Sequence, residues 1–97
     1  MRVKLRQTRW TLERMDLGPK LRGNIDHPDR ARRYIRISTR LTRGEEILEV
    51  LLHEFLHGCF WDMDEEAITQ AAKDMARALY KCGARIDVDK IPVRKPK

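Results

Sequence analysis

Residues 42–83 read TRGEEILEVLLHEFLHGCFWDMDEEAITQAAKDMARALYKCG, and the spacing of their apolar positions decides the fold class. Ile47, Leu48, Val50, Leu51, Leu52, Phe55 and Leu56 cover most of the circumference of a helix, which predicts a helix packed on several sides at the centre of the core. Thr42 followed by Glu45 is a capping-box pair and places the start there. Gly58, Phe60 and Trp61 are expected to close this helix, with side chains between Asp62 and Asp64 capping a second one from about Asp64 to Lys81. The apolar face of that second helix reads Ile68, Ala71, Ala72, Met75, Leu79 and Cys82, and Gly83 is its stop.

Working outward, Val3, Leu5 and Gln7 alternate with Arg2, Lys4 and Arg6, the period of a half-buried strand running toward Trp10 and Leu12. The run from Asp16 to Asp29 gathers Gly, Pro, Asn and Asp and reads as a loop, with a brief strand around Leu21 to Ile25. Ile35 and Ile37 alternate with Tyr34, Arg36 and Ser38, a second strand with one apolar face. After Gly83 a short strand at Arg85 to Val88 is conceivable, but Pro92, Pro96 and the terminal lysines predict a frayed tail. The expectation is α+β: a short sheet of two to four strands packed on two helices. With 97 residues and 41% hydrophobic content, one core and one domain (1–97) are expected. Within it, residues 1–44 form a basic strand and loop region, 42–83 a two-helix core, and 84–97 a basic tail.

Charge follows these divisions. Residues 1–44 hold 13 Lys/Arg against 4 Asp/Glu, residues 45–83 hold 3 against 9, and residues 84–97 hold 5 against 2. An acidic segment is therefore flanked by basic ones, a distribution that suits contact with phosphate backbones. No apolar run approaches a membrane span, and the basic start MRVKLRQTRW lacks the apolar stretch of a secretory signal. A cytoplasmic chain with no membrane partner is expected, and Cys59 and Cys82 are read as reduced, buried thiols.

The central helix carries His53-Glu54-Phe55-Leu56-His57, an H-E-x-x-H pattern that uses two of the three histidines. Side chains at i and i+4 project side by side, so both imidazoles can reach one Zn²⁺ while Glu54 remains free to act as a general base. A hydrolytic zinc needs a third protein ligand. Folding the second helix back antiparallel brings its first turn level with His57. Glu65 then lies about 60° from the apolar face and Glu66 about 160° away, which selects Glu65. The competing reading makes Asp62 and Glu65 a capping box, and His27 in the loop is the rival third ligand. Cys59 sits too far round the helix to join. Glu49 could accept from the outer nitrogen of His53, although a solvated role is the plainer reading, and Tyr34 and Tyr80 read as core more readily than as donors to an oxyanion.

These residues resemble the zincin metallopeptidases, and LLHEFLHGCFWDMDEEAITQAAKDMARALYKCG looks like the small H-E-x-x-H proteins of bacteriophage and bacterial genomes. The resemblance spans roughly Asn24 to Gly83 and is similar in outline to the SprT-like and minimal gluzincin groups. It implies that His53 and His57 bind zinc, that Glu54 is the catalytic base, and that a later helix supplies another ligand. The expected function is a zinc-dependent metallohydrolase acting on a peptide or protein substrate. The strand Arg33 to Ser38 would lie beside the motif helix and align that substrate along a free edge. The alternative is a non-catalytic, zinc-stabilised module that binds nucleic acid or another partner through its basic segments.

Overall fold

The computed structural model describes residues 1–95. Its elements are β1 (Arg2–Leu5), β2 (Thr8–Met15), β3 (Gly23–Ile25), β4 (Tyr34–Ser38), α1 (Gly44–Cys59) and α2 (Glu65–Lys81), followed by a single 3₁₀ turn at Val88–Lys90. The α+β expectation holds, with four strands in the order β1-β2-β4-β3. β2 and β4 run parallel, and the two outer pairs are antiparallel.

The first apolar alternation belongs to two strands rather than one. Arg6 and Gln7 take φ of 47° and 72° and form a two-residue turn between Leu5 and Thr8. Such a turn normally advertises itself with Asn-Gly or Asp-Gly, and neither is present. On the face toward α1, Trp10, Leu12, Ile35 and Ile37 are almost fully buried, and they meet Ile47, Val50 and Leu51 of the helix. Gly58 does not end α1. It lies within the helix, where a Cβ would stand 2.8 Å from Leu5 Cδ1, so its role is close approach to the sheet.

Thr42 does not cap α1 either. The N-cap is Arg43, with no side-chain bond, and the helix begins one residue later than the sequence pair indicates. Its first residue, Gly44, packs against the Tyr80 ring near the far end of α2, which fixes the start by tertiary contact. α2 packs on α1 and on no strand, so the sheet rests on one helix and not on the two expected. Its buried residues are Ile68, Ala72 and Ala76, a narrow stripe at four-residue spacing. Met75, Leu79 and Cys82, expected inside, are exposed because the helix has a single neighbour. Both cysteines are free, Cys59 half-buried.

α2 ends as expected at Gly83, whose φ of 96° suits a residue without Cβ. Gly83 N–H bonds to Tyr80 O at 3.0 Å and Ala84 N–H to Leu79 O at 2.9 Å, the paired bonds of a Schellman termination. The tail is not frayed at residues 91–94. Ile91 is 4% exposed within the core, Val93 bridges to Arg14, and Arg94 reaches Glu13 at 2.9 Å. No strand forms at Arg85 to Val88. Pro96 and Lys97 lie outside the described residues. Among the described residues, no helix is long and apolar enough to cross a membrane.

Candidate metal centre

Near the C-terminal end of α1, His53 and His57 stand one turn apart with their Nε2 atoms 3.1 Å from each other. Across the turn Phe60–Asp64, the first residue of α2 completes the group. Glu65 Oε1 lies 3.0 Å from His53 Nε2, and Glu65 Oε2 lies 2.8 Å from His57 Nε2. Asp64 sets this position by accepting the Ala67 N–H at 3.1 Å, so the N-cap falls on Asp64 and the proposed Asp62 capping box does not form.

The three residues fit a divalent cation. Their ligand atoms lie within 4.8 Å of one another, and the contacts of 2.8 to 3.1 Å are shorter than the roughly 4 Å that two bonds of about 2.0 to 2.1 Å to one ion can span. Burial holds His57 below the ordinary imidazole range, the Glu65 charge pulling the other way, so the ring is neutral at neutral pH and its nitrogen is available as a ligand.

Glu54 points away from the triad's solvent side into the space between α1 and the sheet, where it is 6% exposed. Burial first, and then the negative charge of Glu65, push its carboxyl up to about 7. Its neighbour across that space is β3. A Cβ on Gly23 would meet Val50 Cγ1 at 2.8 Å and Glu54 Oε2 at 3.2 Å, so a glycine lets the strand pass directly over the carboxylate. A cavity of about 290 Å³ opens here and takes His53, Glu54 and Glu65 as one wall and Lys20, Arg22 and Gly23 as another.

The edge strand beside Glu54 is β3, not Arg33 to Ser38. β4 is interior, paired to β2 on one side and β3 on the other. Ser38 N–H bonds to Arg22 O and Asp26 N–H to Tyr34 O, with Asn24 opposite Arg36 between them. In an antiparallel ladder this alternation leaves the N–H and C=O groups of Gly23 and Ile25 facing outward.

The remaining candidates lie elsewhere. His27 stands outside the triad, half-exposed, its Nδ1 accepting the Asp29 N–H at 3.1 Å and its ring edge-on to Trp61 at 5.0 Å. Glu49 pairs with Arg22 at 3.5 Å, so the plainer reading describes it better. The Tyr34 and Tyr80 rings carry arginine guanidiniums. Gly23 and Arg22 were not singled out from sequence, although an isolated glycine in a short strand is the usual mark of close backbone approach. Comparison with family models, with curated proteins and with solved structures finds no match to this chain.

Proposed function

We propose that this protein is a zinc-dependent metallohydrolase of zincin type that cleaves peptide bonds. The observation that carries the reading is a two-histidine, one-carboxylate triad, two of whose members, His53 and Glu65, share a cavity with Glu54, a buried glutamate whose pKa is pushed up to about 7. His53, His57 and Glu65 would hold the ion, leaving Glu54 unligated. Zinc, when bound, supplies Lewis acidity that polarises a carbonyl and acidifies water.

Within that frame Glu54 accepts the proton from the attacking water on its carboxylate and returns it to the leaving amine. A carboxyl titrating near 7 serves both transfers. Gly23 and Ile25 offer one edge for backbone pairing to an extended substrate, directly beside Glu54. Burial of Glu54 between α1 and β3 keeps bulk water from competing for its proton.

One observation favours a second reading. The triad draws on both helices, so an ion there would staple α2 to α1 and could serve stability alone. Zinc-loaded wild type and Glu54→Gln, assayed on a quenched fluorescent peptide library, separate the two. The expected outcome is cleavage by wild type and a loss of about 10² to 10⁴-fold in the variant, with zinc content unchanged. Equal rates in the two proteins, or no cleavage by a fully loaded wild type, would leave the stabilising role.

A further inference from the structure

The sheet has a second face. α1 covers the side bearing Trp10, Leu12, Ile35 and Ile37, whereas α2 touches only α1. The opposite side carries Arg2, Lys4, Arg9, Thr11 and Tyr34. The register fixes their common orientation, with Arg2 opposite Thr11, Lys4 opposite Arg9 and Thr11 beside Tyr34. A cavity of about 400 Å³ opens here, and Arg2 and Arg9 line it together with Arg32 and Arg33 from the loop before β4. No acidic side chain lines it, and its apolar liners are the buried Trp10 and the exposed Ala31.

Four arginines elsewhere are neutralised, Arg22 by Glu46 and Glu49, Arg36 by Asp26, Arg40 by Asp16 and Arg94 by Glu13, while other arginines unpaired among the described residues, such as Arg43 and Arg77, are scattered and do not line this cavity. Among the described residues, none of the four cavity arginines forms an ion pair with a carboxylate. Arg33 is held in place by carbonyls instead, donating to Arg9 O at 3.0 Å, Arg30 O at 3.0 Å and Pro28 O at 3.4 Å, which orients its guanidinium without cancelling its charge. Four like charges around one concavity repel each other and call for an anionic occupant.

We propose that this cavity binds the phosphate backbone of a single strand of nucleic acid. Guanidinium forks match phosphate oxygens. Lys4, exposed beside Arg9 on β1, carries the positive row beyond the cavity, so the complementary ligand is a chain of phosphates rather than one. A concavity of this volume admits one strand, while a duplex could present only a ridge to its rim. Trp10 is buried and the exposed Ala31 is too small for the insertion that a lipid surface would use. Both Arg36 and Arg94 lie against the Tyr34 ring, at 5.0 and 4.6 Å, so base stacking there is not offered and binding is independent of sequence.

The test is fluorescence anisotropy of the full chain with a labelled single-stranded oligonucleotide of mixed sequence, about 16 nucleotides long. Four contacts give a log–log salt slope of about −3, roughly 50-fold weaker binding between about 50 and 200 mM salt. Arg9→Glu with Arg32→Glu, both at exposed positions, should weaken binding at least tenfold and flatten the slope by about 1.4. Lys73→Glu with Lys81→Glu on α2 changes net charge equally and should stay within about twofold of wild type. Equal loss in that control, a slope near zero, tighter binding of the duplex, or displacement of the strand by equimolar inorganic phosphate would each overturn the proposal.

Discussion

A carboxyl group sealed between helix and sheet keeps its proton longer than one in water, and Glu54 is so placed. An ordinary glutamate titrates near 4.5 and Glu54 near 7, so the folded state binds this proton more tightly than the unfolded one. The resulting stabilisation is whole below about 4.5 and is lost as pH rises through 7. Asp26 behaves oppositely: although burial works against it, the Arg36 guanidinium and the Tyr34 N–H hold it below its ordinary value, and its contribution is lost only toward acid. For metal-free protein kept in chelator, stability measured by denaturant melts should therefore fall by up to about 3 kcal/mol between about pH 5 and 7.5. Glu54→Gln should lose this fall and, because His57 is held below the ordinary imidazole value, should rise slightly over the same window. A wild-type protein with the same slope as the variant would contradict this placement of Glu54.

At the level of elements, α2 matters because its first turn carries Glu65. Replacing Asp64 by alanine removes the bond to Ala67 N–H, and thermal melts should show a loss of about 0.5 to 2 kcal/mol. Zinc affinity should weaken with it, because a frayed first turn no longer holds Glu65 over the histidines; unchanged affinity would detach the cap from the site. How far these elements were legible follows from the range of the interactions that set them. The motif helix, α2 and the side of α2 that sets Glu65 beside the histidines rest on local periodicity, and all were readable. The β1–β2 turn was not, because Arg6 and Gln7 adopt positive φ without the usual turn residues. The start of α1 escaped the Thr42 signal because contact between Gly44 and Tyr80 sets it. Nor does any local signal place Gly23 over Glu54, since that contact crosses 31 residues of chain.

Across the whole molecule, the tail misread as frayed closes the core. Ile91 packs with Trp10, Leu12 and Leu51, and Ile91→Ala should cost about 2 to 5 kcal/mol in chemical denaturation. A cost below about 0.5 kcal/mol would mean that the tail is not docked in solution. The same architecture divides the charge partition spatially. The acidic segment builds the two helices and their triad on one side of the sheet, and four arginines without carboxylate partners share a cavity on the other. The most direct measurement of the central claim is zinc titration followed by calorimetry on wild type, His53→Ala, Glu65→Gln, His27→Ala and Glu54→Gln. One equivalent should bind to wild type, His27→Ala and Glu54→Gln, with binding lost in His53→Ala and weakened in Glu65→Gln. Stoichiometric binding that survives His53→Ala, or that disappears in His27→Ala while persisting in Glu65→Gln, would contradict the site.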